Sequence, residues 1–274
     1  DGPPRAGYDQ IVQGMAGLMS LTGQPSSGPM KVGVPISDIA AGMFGAHAIL
    51  AALLQRERTG VGRHIDVAMH DSVVAMLTYQ ATRLFATGTA PRLEGNHHPT
   101  IAPYGMFATA DGHVNVCVGN DAQWRRFCEA LDAGGLADQE RFASNRSRLA
   151  HRVELYDAID RLLAVRTTDD VLARMEQAGV PAGPIRGLDE VFTDPAVQDR
   201  DMQLRIDHPR HGELSVPGGP WKLDGVSVRA RLAPPMLGQH TREVLAEAGY
   251  SQALIEQLAD DGHVVVNPHG TRVS

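Results

Sequence analysis

Only two cysteines, Cys117 and Cys128, occur in the 274 residues, so no disulfide framework holds this chain together. That usage suits a reduced, cytoplasmic setting. One cysteine falls in an apparent strand and the other in an apparent helix, and both read as packing residues. Basic charge is also short: 25 Lys and Arg stand against 32 Asp and Glu, a formal −7, with no basic cluster. Nucleic acid is therefore disfavoured as a partner. Neither a secretory leader nor an uninterrupted apolar run long enough to span a bilayer is visible, which argues against a membrane partner. His97-His98 and His208-Pro209-Arg210-His211 lack a matching set of cysteines or carboxylates, so no metal site is expected. Internal repeats and low-complexity tracts are missing too. What is present is length enough to bury a substantial core, as one large domain or two smaller ones.

The chain is organised around Lys31 to Leu54, KVGVPISDIAAGMFGAHAILAALL. A short apolar run leads into Ser37-Asp38, after which Ile39, Met43, Ala46, Leu50 and Leu53 recur at helical spacing with Ala and Gly between them. A helix apolar on nearly every side is expected to be buried, with His47 a core histidine and Gly42 and Gly45 allowing close packing. Asp38 stands where this helix begins. By pattern alone it is an N-cap, favoured by unpaired N–H groups and the positive end of the helix dipole.

Elsewhere the periodicity predicts a helix over Gly7 to Leu21 with Ile11, Met15, Leu18 and Met19 on its apolar side. A loop follows at residues 24–29, and Thr59-Gly60 stops the Asp38 helix. His64 to His70 alternates like a strand, with Asp66 solvated. Asp71-Ser72 caps a helix running to Thr87. A linker follows at 92–103, then a hairpin over Tyr104 to Val118 turning at Ala110-Asp111-Gly112-His113. Three helix faces come next: Trp124, Phe127, Leu131; Leu155, Ile159, Leu162; and Val171, Leu172, Met175, ending at Gly179. Residues 180–184 break the pattern, Asp207 to Val228 reads as strands and turns, and Thr241 caps a helix. A second helical stretch begins near Ser251, and the tail from His263 is expected to be disordered.

GYDQIVQGMAGLMSLTG, then KVGVPISDIAAGMFGAHAILAALLQRERTGVGRHIDVAMHDSVV, and later PYGMFATADGHV, AGVPAGPI, DEVFTDPAVQDRDM and PPMLGQHTREVL resemble the family III CoA-transferases in the expected order. That family includes the formyl-CoA:oxalate and carnitine CoA-transferases and shares its fold with α-methylacyl-CoA racemases. The resemblance implies an α/β fold: an incomplete, discontinuous Rossmann-like large domain (1–90 and 206–274) with a smaller α/β domain inserted (91–205). It also implies an interlocked homodimer, and that this chain lacks the N-terminal segment bearing much of the CoA-binding surface. By position the nucleophile is Asp38. Gly33, in glycine-rich surroundings that let a ligand approach, is a candidate binding residue. Met69 matches a position near the CoA nucleotide, although a core methionine is an equal reading. Tyr8 stands where the racemases place a histidine. A phenol with an ordinary pKa of about 10 is a poor neutral-pH base, which favours transferase over racemase. The glycine run of oxalate-handling relatives is replaced here by HPTIAPYG at 98–105, which argues against oxalate and formyl-CoA specificity.

The implied activity moves CoA between an acyl-CoA and a small carboxylic acid through covalent intermediates on Asp38. Coenzyme A and acyl-CoA are substrates, with no permanently bound cofactor. The alternatives are racemisation of an acyl-CoA, or a non-catalytic fragment or subunit.

Overall fold

The computed structural model describes residues 7–267, which form two compact units dividing after Ile185. The first unit begins with α1 (Asp9–Met15), a single turn of tight helix at Leu18–Ser20, and the short antiparallel pair β1 (Gly23–Gln24) and β2 (Gly28–Pro29). Then come α2 (Ile36–Thr59), α3 (Met69–Met76) and α4 (Thr78–Thr87). Helices α1, α2 and α3 pack on one another, with Val12, Ala16 and Val73 as a small core flanked by Leu18 and Met69.

Several expectations change here. The predicted first helix is cut short because Gly17 turns left-handed at φ +84°. Its buried side is Val12, Gln13 and Ala16, whereas Ile11 and Met15 face outward. His64 to His70 is not a strand: it runs irregularly to Ala68, finds no ladder partner among the described residues, and α3 starts at Met69. A strand exists only where a second strand takes its hydrogen bonds. Asp71 consequently lies inside the first turn of α3 rather than capping it, and Leu77 separates α3 from α4, whose first residue Thr78 has φ +43°.

The largest correction concerns α2. It ends as expected, with Gly60 left-handed at its C-terminus. Only Ser37 and Ala40 are buried along it, while Met43 (58 % exposed), Leu50 (66 %) and Leu54 (56 %) face outward. His47 is exposed and bonds the Met43 carbonyl at 2.7 Å; side chains added at Gly42 or Gly45 would meet nothing within 4 Å. By length and composition α2 also passes as a membrane-crossing helix, although Asp38 and His47 punctuate its apolar run.

The main core lies further along the first unit. Strands β3 (Tyr104–Ala108), β4 (His113–Cys117) and β5 (Ala182–Pro184) form an antiparallel sheet. Around it lie α5 (Asp121–Ala130), α6 (Gly134–Ala137), α7 (Asn145–Ala150), α8 (Arg152–Leu163) and α9 (Thr168–Ala178). The hairpin and the three helix faces fall where the periodicity puts them: Trp124, Phe127, Leu155, Ile159, Val171 and Met175 are fully buried. Cys128 is buried in this core and Cys117 half-buried at its edge. The edge strand β5 lies in the broken pattern at 180–184, where the sequence carries no strand signal.

The second unit contains α10 (Leu188–Thr193), α11 (Pro195–Gln198), and the antiparallel pairs β6 (Gln203–His208) with β7 (Gly212–Pro217) and β8 (Lys222–Leu223) with β9 (Val226–Ser227). It ends with α12 (Thr241–Glu247) and α13 (Gln252–Asp260). Ser251 caps α13 through its side chain, but Thr241 is the first residue of α12 rather than its cap. The start of the tail is tied down, with His263 N–H bonding Leu258 O and Asn267 N–H bonding Gly238 O. The expected disorder beyond residue 267 lies outside the described residues. The chain is thus a mixed α/β protein of helices and small antiparallel sheets.

Candidate active site

Three of the four singled-out residues sit at helix starts. Tyr8 immediately precedes α1, Asp38 is the third residue of α2, and Met69 is the first of α3. Those ends converge. The Asp9 carboxylate bonds Ser37, joining the starts of α1 and α2, and the Met69 sulfur lies 3.8 Å from where a Gly7 side chain would begin. Convergent N-termini present unpaired N–H groups and partial positive charge in one region, a setting suited to anions. Gly33 lies in the irregular approach to α2, where a side chain would meet nothing within 4 Å among the described residues. Met69 packs against the Val12–Ala16–Val73 core, and Tyr8 is 71 % exposed.

Asp38 is not the cap that its sequence position suggests. Pro35 holds the N-cap position and makes no side-chain cap bond. The cap comes from another helix: Asp9 Oδ1 accepts from the Ser37 N–H at 3.0 Å and the Ser37 hydroxyl at 2.8 Å. Asp9 Oδ2 accepts from Gln13 Nε2 at 2.8 Å, and Gln13 Oε1 accepts from the Val32 N–H at 2.9 Å. Burial pushes the Asp9 carboxyl up, but the Ser37 and Gln13 hydrogen bonds, with Lys31 nearby, outweigh it and hold the group below its ordinary value. The Asp38 carboxylate is exposed, and among the described residues it has no hydrogen-bond or ion-pair partner. It is an ionisable side chain on a fixed helical turn with no internal task.

Cavities of about 270 to 620 Å³ elsewhere in the chain are lined by other residues, so none of them encloses Asp38. One cavity of about 500 Å³ lies at residues 92–99 of the linker, where the His98 ring stacks on Tyr79 at 5.9 Å and lies tilted against Tyr104 at 5.1 Å. His97 packs between Phe107 and Tyr156. Both histidines thus pack against aromatic rings, and among the described residues no group of three potential metal ligands occurs.

The family model described as CoA-transferase family III matches residues 2–241. The chain belongs to that family. It is 43 % identical over 88 % of its length to a succinate–glutarate CoA-transferase of Agrobacterium fabrum, and 37 % identical over 80 % to an acetyl-CoA:oxalate CoA-transferase of Acetobacter aceti. These alignments span 60 % and 55 % of the relatives. A solved CAIB/BAIF family protein from Brucella suis superimposes with a TM-score of 0.76 at 38 % identity, covering 90 % of this chain and 65 % of that one. The chain therefore spans about three fifths of the length of the CoA-transferases it matches.

Asp9, Gln13 and Ser37 are the residues of this family member that the sequence pattern does not single out. A signal existed: Asp9 and Gln13 are an i, i+4 polar pair, and Gln13 shares a helix face with Val12 and Ala16 that is otherwise apolar.

Proposed function

We propose that this chain provides the nucleophile of an acyl-CoA:carboxylate CoA-transferase, with Asp38 forming the covalent intermediates. The observation that supports it is the free carboxylate on a rigid first helical turn, relieved of capping by Asp9. An Asp38 oxygen attacks the thioester carbonyl; the C–S bond breaks, leaving a mixed anhydride and CoA thiolate. The thiolate attacks Cγ of Asp38, the donor acid leaves as a carboxylate, and an aspartyl-CoA thioester remains. The acceptor carboxylate then expels the thiolate from Cγ, and the thiolate attacks the acceptor's carbonyl, regenerating Asp38. A carboxylate needs no base for this, but it needs fixed geometry, exclusion of water and help for the tetrahedral oxyanion. Of the first-turn N–H groups of α2, those of Ile36, Ser37 and Ile39 are taken by Val34 O, Asp9 Oδ1 and Pro35 O, which leaves the Asp38 N–H to give that help.

The names of the relatives put small dicarboxylic acids first among acceptors to test. Tyr8 orients the substrate, Gly33 permits its approach, and Met69 borders the CoA nucleotide. Residues 206–274 complete the domain begun by 1–90, with 91–205 as the smaller domain, and the protein works as an interlocked homodimer. In the full-length protein, Asp38→Ala is expected to lower transferase turnover at least about 10⁴-fold, the scale of losing a covalent nucleophile. Mass spectrometry after acyl-CoA treatment and borohydride reduction should place the adduct on Asp38. Full activity in Asp38→Ala would sink the assignment.

The exposed, unwalled Asp38 favours a second reading for the isolated chain, that it folds but cannot hold CoA unaided. Calorimetric titration of CoA into this chain and into the full-length protein separates the two.

A further inference from the structure

We propose that Asp9 is a positioning residue for Asp38, gripping the segment before α2 at both ends so that the nucleophile's backbone is fixed while its carboxylate stays free. The inference rests on Asp38 being the nucleophile, and deepens that reading by naming what aims it.

The geometry is a two-point clamp from one face of α1. At its near end Asp9 takes both hydrogens of Ser37, the residue before Asp38, at 3.0 and 2.8 Å. At its far end Gln13, held by Asp9 at 2.8 Å, takes the Val32 N–H at 2.9 Å. Ser37 and Gln13 are fully buried, so water cannot replace these bonds and each lost partner leaves a buried polar group unsatisfied. Between the two ends the chain passes Gly33 and Val34, both exposed, to Pro35 with no cap of its own. The clamp adds hydrogen bonds at the first turn of α2 to the packing of that helix on α1 and α3.

This clamp has an internal comparison. Asp111, in the β3–β4 turn, likewise accepts from the backbone N–H and hydroxyl of one residue at a distant helix start, Thr168 of α9, at 2.8 and 2.9 Å. No candidate site residue follows Thr168. The two long-range caps share chemistry and differ in what lies next to them.

Asp9→Asn is nearly isosteric but turns one acceptor into a donor facing Gln13. The Gln13 side chain cannot then serve both the introduced amide and Val32, so one end of the clamp opens. In the full-length protein, with succinyl-CoA and glutarate as probes, kcat should fall about 100-fold, as for an ångström-scale misplacement of a reacting group. KM for succinyl-CoA should stay within about threefold, and adduct formation on residue 38 should slow in proportion to kcat. Ser37→Ala, which removes only the hydroxyl bond, should lower kcat about five- to tenfold, one hydrogen bond's worth. Asp111→Asn should lower the melting temperature and leave kcat unchanged. Wild-type kcat in Asp9→Asn, a raised KM at constant kcat, or an equal loss of kcat in Asp111→Asn overturns the proposal. If Asp9→Asn does not fold, Ser37→Ala decides by the same split. An Asp38→Ala protein that still turns over removes the nucleophile assignment itself; an inactive one beside a fully active Asp9→Asn removes only the positioning role.

Discussion

The side chains around Asp38 show that one carboxylate can be spared by another. A first-turn Asp ordinarily satisfies its own helix; here Asp9 does so from 28 residues upstream in chain order, and Asp38 is left uncommitted. Sequence reading places Asp38 at a helix start because the apolar period begins there. It cannot assign the cap, because capping between helices depends on where α1 lies. A similar burial effect sets the state of His97. Burial lowers its pKa, Arg152 adds to this, and Asp160 and Glu94 oppose it without prevailing. The folded imidazole therefore accepts a proton at lower pH than the unfolded one. Its contribution to stability is complete above about pH 6.5 and is lost as pH falls from there toward the folded pKa. Urea titrations at about pH 5 and pH 7.5 should show this loss, and His97→Phe, which keeps a ring beside Phe107 and Tyr156, should reduce the difference.

At the scale of elements, local chemistry is legible wherever an element carries its own signals. Helix α9 begins with a Thr167 side-chain cap and ends at left-handed Gly179, α13 begins with Ser251, and the faces of α5, α8 and α9 follow the apolar period. The segments that defeat the pattern are those whose state depends on a partner: the unpaired 64–68 stretch and the edge strand β5. Gly105, inside the hairpin that the pattern does predict, also depends on its partners. It pairs with Val116 in the β3–β4 ladder and bridges His97 from the linker. A side chain there would collide with the His97 ring and come within 2.6 Å of the Asn96 carbonyl oxygen. Neither neighbour can move without opening the linker contact. Gly105→Ala is expected to cost about 1–3 kcal/mol, the usual range for overpacking, seen as a lowered urea midpoint.

For the molecule as a whole, the exposed side of α2 is the dominant fact. Met43, Phe44, Ile49, Leu50, Leu53 and Leu54 all face outward, an apolar surface of the kind a folded monomer rarely leaves uncovered. Under the proposed homodimer, this face is expected to meet protein. Leu50→Lys with Leu54→Lys should then dissociate or misassemble the full-length protein, since each buried leucine contributes about 1.5–3 kcal/mol. Light scattering behind size exclusion reads the outcome. A double mutant that keeps the wild-type mass, melting temperature and activity would show that the face meets no partner.

Local periodicity, caps and motif order, all written along the chain, suffice for the family, for the position of Asp38 at the start of a long apolar helix, and for the buried faces of α5, α8 and α9. Three outcomes needed the folded chain: that Asp9 caps α2, that the starts of α1, α2 and α3 converge, and that α2 lies bare along most of its length. Each depends on which distant groups meet in space, and a one-dimensional pattern carries no distance.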